Sequence, residues 1–98
     1  MTTVRIDDNR LEIKGHSGDH DVCGRVSTLL YHFLYNTADH YGLPFDSYVT
    51  EDATAVIRDL DTIRADARGA VMLDSLLYSL KLLAQDFPDF VRIDDRTK

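Results

Sequence analysis

The sequence has a single cysteine, Cys23, among its 98 residues. One cysteine forms no internal disulfide, so the fold does not require an oxidising compartment. No apolar run approaches the roughly 20 residues that span a bilayer, and no charged segment followed by an apolar one opens the chain. We therefore expect a cytoplasmic protein that does not enter a membrane.

Basic residues are also scarce, with 11 Lys and Arg against 17 Asp and Glu, for a net charge of -6. An acidic surface repels nucleic acids and anionic membranes, so we expect neither direct nucleic-acid binding nor membrane association. Hydrophobic residues make up 44% of the chain, which is enough for one core. With no repeats, linker or low-complexity segment, residues 1–98 are predicted to form a single domain.

The first half of the chain predicts a hairpin followed by a helix. Apolar and polar residues alternate over residues 3–14 on both sides of a turn-like Asp-Asp-Asn-Arg segment, which is typical of a β-hairpin. Apolar residues at spacings of three and four then predict an amphipathic helix over about residues 22–40, with Cys23 at its beginning. Either Asp19 or Asp21 can cap this helix.

The second half repeats this order. A second hairpin is predicted within residues 45–59, a connection over residues 59–65, and a helix that Asp66 caps and Pro88 ends. Residues 90–93 form a last short strand, and residues 94–98 a polar tail. The element order ββαββαβ predicts an α+β fold, with two helices on a small antiparallel or mixed sheet.

We expect the functional site near Cys23, because residues 15–23 contain this cysteine and two of the four histidines, His16 and His20. A thiol at a helix N-terminus has a lowered pKa. A nearby imidazole then completes the cysteine–histidine pair of a sulfur nucleophile. The same three side chains are also ligand types for a transition metal, so metal binding through His16, His20 and Cys23 stays open as an alternative.

Two stretches resemble one known family. Residues 15–18 and 21–27 are similar to the Gly-His-Ala-Gly and Asp-Ile-Val-Cys-small-small-Val-Ser motifs of the ribosomal-processing cysteine proteases (Prp). Residues 80–93 are similar to the family's closing helix and strand, with its aromatic-Pro-acidic-aromatic-Val ending. The resemblance implies a small, cytosolic, homodimeric α+β protein that needs no cofactor and no metal.

The resemblance also implies roles for particular residues. His16 and Cys23 take the positions of the family's catalytic dyad, while Asp21, Gly24 and Ser27 are expected to support the site or to bind substrate. Only six residues separate the dyad positions here, and one apolar residue before the cysteine is missing. The family aspartate therefore aligns with Asp21 through a deletion or with His20 by strict counting.

The activity implied by the resemblance is cleavage of a protein substrate. Family members remove an N-terminal extension from a large-subunit ribosomal protein after an apolar, aromatic-ended motif, and some relatives process phage structural proteins. Cys23 is expected to attack the carbonyl and His16 to move the proton, while the amides of Cys23 and Gly24 face the oxyanion. The alternative in another class is a non-catalytic, dimeric peptide-binding module with the same fold.

Overall fold

The computed structural model describes all 98 residues and contains one five-stranded sheet. Its strands are β1 (Thr2–Ile6), β2 (Arg10–Lys14), β3 (Ser47–Val49), β4 (Ala55–Arg58) and β5 (Val91–Asp95). They lie in the order β3-β4-β2-β1-β5, with β1 and β5 parallel and all other neighbours antiparallel. The mixed sheet, the α+β class and the order ββαββαβ are confirmed, with the second helical region divided into two helices.

Alternation of apolar and polar residues builds the β1–β2 hairpin. Val4 pairs with Ile13 and Ile6 pairs with Leu11, and all four side chains are buried. Since successive residues of a strand point to opposite faces, these four share the face on which the helices pack. The hairpin ends at Lys14, and this brings the chain to the segment that carries His16.

The first helix, α1, spans His20–Leu34 and continues into a six-residue π-helical segment, Tyr35–His40. Asp19 is its cap, because the Asp19 carboxylate accepts a hydrogen bond from the amide of Val22 at 3.1 Å. Val22 and Val26 are buried against the sheet, one helical turn apart. The helix starts upstream of the predicted residue 22, so Cys23 lies within its first turn and not at its first residue.

A short helix, α2 (Leu60–Ala65), replaces the connection predicted over residues 59–65. Leu60 and Ile63 are fully buried, which gives this segment an apolar side at helical spacing. Its first turn is held by Asn9 in the β1–β2 turn, whose side-chain oxygen accepts from the Asp61 amide at 2.9 Å. This partner is 52 residues away in the chain, so local sequence patterns do not reveal it.

The long helix α3 spans Ala67–Asp86 and is capped by Asp66, as predicted. The Asp66 carboxylate accepts from the amides of Arg68 and Gly69, and the hydrogen bond from the Arg68 side chain is the main cause that lowers its pKa to about 2. The expected apolar stripe faces the sheet through four buried leucines, Leu73, Leu76, Leu80 and Leu83. None of the helices combines the length and the apolar composition that crossing a bilayer requires.

The last strand is longer than predicted and takes in part of the expected tail. β5 extends to Asp95, which pairs with Ile6 in the sheet and forms an ion pair with Lys81 of α3 at 3.3 Å. The prediction that the polar tail begins at residue 94 was therefore wrong, since it begins after Asp95. The reason is that β5 is an edge strand, where pairing with β1 accommodates charged side chains that point to solvent.

We expect Gly69→Ala to lower the free energy of unfolding by about 1–3 kcal/mol, the usual cost of overpacking. A Cβ at this position would overlap the carbonyl oxygen of Ile63 and lie 2.7 Å from Leu43 Cδ1. Urea denaturation followed by circular dichroism measures the loss. Gly24→Ala is the matched control, because a Cβ there meets nothing within 4 Å and alanine favours the helix. Equal stability of the two variants would contradict the packing described here.

Candidate active site

The loop over residues 15–19 joins β2 to α1 and carries His16 towards Cys23. Gly15 has a φ of +86°, and a Cβ on it would lie 2.7 Å from the carbonyl oxygen of Met1, so the loop can leave the sheet here only with glycine. The Thr2 hydroxyl donates to the Gly15 carbonyl at 3.4 Å. The loop therefore leaves the sheet in one defined direction.

Ser17 places its polar groups against the Cys23 sulfur. Its backbone N–H donates to Sγ at 3.4 Å, and its hydroxyl lies 3.0 Å from the same atom. The Ser17 side chain is 3% exposed, and the hydroxyl also donates to the Asp19 carbonyl at 2.7 Å and accepts from the Asp19 amide at 3.1 Å. The sulfur thus has two hydrogen-bonding groups from one buried residue, while Cys23 itself is only half-buried.

These contacts lower the pKa of the Cys23 thiol below its ordinary value. The side-chain hydrogen bond with Ser17 is the largest cause, and the backbone N–H groups of Ser17 and Gly18 act in the same direction. Partial burial of the sulfur and the negative charge of Asp19 oppose them. The loop therefore stabilises the thiolate, which is the nucleophilic form of cysteine.

Contrary to the expectation, the first turn of α1 does not direct the Cys23 amide towards a substrate. The amide of Cys23 donates to the Asp19 carbonyl at 3.0 Å, as the first bond of α1. That N–H is committed to the helix, so the expectation that it faces an oxyanion was wrong. Of the two carboxylates proposed to cap the helix, only Asp19 does so.

His16 and Cys23 line the same cavity, of about 280 Å³. The His16 side chain is exposed, and no hydrogen bond joins it to the Cys23 sulfur. A second cavity of about 240 Å³ adjoins the first, and the two share five lining residues of α1, β3 and β4: Ser27, Leu30, Tyr31, Val49 and Ala55. Together they form one apolar trough, the Cys23 groove, which has His16 and Cys23 at one end.

The other predicted site residues divide between two places. Ser27 lies in the Cys23 groove, one helical turn beyond Cys23. Asp21 and Gly24 line a wider groove of about 770 Å³ between α1 and α3, together with His20. Arg25 is also on that side, with its guanidinium 5.5 Å from the centre of the Phe87 ring. Of the expected supporting residues, only Ser27 lines the same cavity as His16 and Cys23.

The structure does not assemble the ligands considered for a metal site. No group of three or more His, Cys, Asp or Glu side chains is placed to hold an ion. His20 lies in the groove between α1 and α3, whereas His16 and Cys23 line the Cys23 groove. A site built from these three residues is therefore not formed.

Sequence reasoning missed Ser17, which makes the closest contact with the sulfur. A signal was present, because serine stands here where the Prp motif Gly-His-Ala-Gly has alanine. Serine carries a hydroxyl that alanine lacks, and this adds a donor and an acceptor beside the dyad position. Ser17 was instead interpreted only as part of a loop.

Comparison with known proteins gives matches among solved structures. No protein-family model and no curated protein matches the sequence. The ribosomal processing protease Prp from S. aureus, in complex with a covalently linked product peptide, has a TM-score of 0.85 and 20% identity, covering 98% of this chain and 100% of that chain. The chain has the Prp fold.

Two further structures support this assignment of the fold. The S. aureus protease in complex with a substrate peptide has a TM-score of 0.83 at 19% identity, with coverage of 98% and 100%. A Streptococcus mutans protein has a TM-score of 0.78 at 22% identity, covering 99% of this chain and 93% of that chain. The Prp fold expected from the motifs is confirmed, and at these identities the likeness is one of fold.

We expect the rate of Cys23 alkylation by iodoacetamide to reach half its maximum at a pH, the alkylation midpoint, that lies below the usual thiol pKa of about 8.5. The reason is that hydrogen bonds to the sulfur favour the thiolate. The folded protein should therefore react faster at pH 7 than a simple thiol. The rate is followed by mass spectrometry from pH 5 to 10. The same protein in urea is the reference, and equal midpoints in both states would show that the fold does not activate the thiol.

Proposed function

We propose that this protein is a cysteine endopeptidase of the Prp type, with Cys23 as nucleophile and His16 as general base. The observation that carries the proposal is that Cys23 and His16 line one end of an apolar groove while the loop holds the sulfur by hydrogen bonds. The fold likeness adds support, since the S. aureus Prp protease was crystallised with a covalently linked product peptide and with a substrate peptide.

The reaction follows from these two side chains. His16 accepts the thiol proton as the Cys23 sulfur bonds to the carbonyl carbon of the scissile peptide, and the protonated ring then gives that proton to the leaving amine as the C–N bond breaks. Water hydrolyses the resulting thioester with His16 as base, which restores the thiol. No hydrogen bond joins His16 to the sulfur, so its exposed side chain must move to the sulfur for this step.

The Cys23 groove suggests the kind of segment that is cut. Leu30, Tyr31 and Val49 offer apolar surface, and Tyr31 and Val49 are 56% and 70% exposed. An extended apolar segment that ends in an aromatic residue would cover these side chains with its own. The resemblance to the Prp family names such a segment, and the substrate proposed from it is an N-terminal extension of a large-subunit ribosomal protein, or a phage structural protein, cut after that motif.

We place the enzyme in the cytoplasm, where its free thiol stays reduced. We also propose that it works as a homodimer of single-domain chains. The helix α3 exposes Val71, Tyr78 and Leu82, which follow one another at intervals of seven and four residues and so share one side of the helix. Two such helices related by a two-fold axis would bury each other's apolar stripe.

We expect the wild type to cut a peptide with an apolar, phenylalanine-ended motif, and Cys23→Ala to leave it intact because the nucleophile is gone. His16→Ala should reduce kcat/KM by at least about 10²-fold, the usual contribution of a general base. Cleavage is measured by mass spectrometry, which also identifies the bond. A peptide with aspartate in place of the phenylalanine is the substrate control.

The same experiment separates the protease from the binding module. A Cys23→Ala variant that cuts as fast as the wild type would contradict the proposed nucleophile. A wild type that binds the peptide in a titration but never cuts it would instead favour the non-catalytic peptide-binding protein. The observation that favours this peptide-binding function is that no hydrogen bond joins His16 to the sulfur.

We expect the wild type to sediment as a dimer and Tyr78→Glu to sediment as a monomer, because Tyr78 is 64% exposed at the centre of the α3 stripe. Analytical ultracentrifugation gives both masses. Tyr35→Glu is the matched control, since Tyr35 is an equally exposed tyrosine on another segment. A monomeric wild type would contradict the dimer. Dissociation by Tyr35→Glu alone would place the interface instead at the exposed Tyr35 and the neighbouring ring of Tyr31.

A further inference from the structure

The Cys23 sulfur has no positively charged partner that would stabilise its thiolate form. The titratable groups that line its cavity are His16 in the loop and Tyr31 on α1, and Asp19 at the helix cap acts on it through its charge. His20, Asp21 and Arg25 of α1 line the opposite groove, beside α3. Asp19 is an anion and opposes a thiolate, and His16 makes no hydrogen bond to the sulfur. Stabilisation of the thiolate therefore depends on neutral hydrogen-bond donors.

We propose that Ser17 is a third functional residue of the Cys23–His16 site, which holds the Cys23 thiolate through its hydroxyl and its backbone N–H. Its catalytic meaning rests on the proposed protease function. The proposal stands on position, because Ser17 is 3% exposed, its hydroxyl lies 3.0 Å from Sγ, and its amide lies 3.4 Å from Sγ. The two hydrogen bonds of this buried hydroxyl with the Asp19 backbone hold its oxygen beside Sγ before the reaction begins.

The hydroxyl can serve both protonation states of the sulfur. A serine hydroxyl has one proton to donate and two lone pairs to accept. With the thiol protonated, the hydroxyl donates to the Asp19 carbonyl and accepts from the Asp19 amide and from the S–H group. All three of its hydrogen-bonding positions are then used, and the thiol proton points at Ser17.

When the thiol proton passes to His16, the hydrogen bond between the sulfur and the Ser17 hydroxyl changes direction, so that the hydroxyl becomes the donor. The Ser17 hydroxyl turns its proton from the Asp19 carbonyl to the sulfur anion, while its oxygen still accepts from the Asp19 amide. The Asp19 carbonyl is not left without a donor, because the Cys23 amide still bonds to it at 3.0 Å. The thiolate thus gains a hydroxyl donor at little cost, beside the N–H of Ser17 that it already has.

The test measures the thiol directly and needs no peptide. We expect Ser17→Ala to raise the midpoint of iodoacetamide alkylation by about one pH unit, and so to slow alkylation at pH 7 about tenfold, the order expected for one hydrogen bond to a charged acceptor. Ser17→Gly removes the same hydroxyl and occupies less space, so it serves as a second variant if alanine disturbs the fold. Ser17→Thr keeps a hydroxyl and should return the midpoint towards the wild-type value.

Two controls separate thiolate stabilisation from a merely structural role. Asp19→Ala removes the side-chain cap of α1 together with the opposing negative charge, so it should lower the midpoint, whereas fraying of the helix start would raise it. Ser79→Ala, at a half-buried serine of α3 away from the sulfur, should leave the midpoint unchanged. In urea all variants should share one midpoint.

An unchanged midpoint in both Ser17→Ala and Ser17→Gly would overturn the proposal, as would equal upward shifts in Ser17→Ala and Asp19→Ala. Peptide cleavage then distinguishes this inference from the protease function on which it rests. If the wild type cuts and Ser17→Ala cuts with the same pH profile, the role of Ser17 fails and the protease stands. If the midpoints shift as expected but no peptide is cut, the protease fails and Ser17 remains the residue that activates the thiol.

Discussion

The packing of the first turn of α1 against the sheet determines where the Cys23 sulfur lies. Val22 and Val26 are buried one turn apart, and Cys23 follows the first of them, so its side chain emerges at the border between the core and the groove. On the other side, the end of β2 is held by its pairing with β1 and by the close approach of Gly15 to Met1. The loop between these two anchors has only a few residues, which forces Ser17 against the sulfur.

The hydrogen bonds around the sulfur favour a thiolate in an acidic protein. With a net charge of -6 and the Asp19 carboxylate close enough to raise the pKa of the thiol, the charges around the sulfur favour the neutral thiol. Neutral donors at close range oppose that field, because hydrogen bonds act over a few ångströms whereas charges at the surface are screened by salt. The groove beside the sulfur is lined mostly by apolar residues and adds no further anion to its surroundings.

The two sides of α1 face different surroundings, and this separates residues that are close in the chain. Cys23 and Ser27 point to the groove beside β3 and β4, while Asp21 and Gly24 point to the groove beside α3. The family motif over residues 21–27 contains all four residues and so led us to expect them in one site. On a helix, neighbours in sequence are about 100° apart around the axis, so a contiguous motif cannot place all its side chains in one site.

Much of the fold was predictable from the sequence because it depends on local patterns. Alternating residues predicted the first hairpin, and residue types typical of strands on both sides of a polar break predicted the second. The three-and-four spacing predicted α1 and α3, and Asp66 was identified as a cap, since these features arise from backbone geometry within a few residues. The α2 helix, the full length of β5 and the contact of Ser17 with the sulfur were decided only by the tertiary structure. Each depends on a partner brought near by folding: Asn9 for α2, β1 for β5, and Cys23 for a serine that local rules assign to a loop.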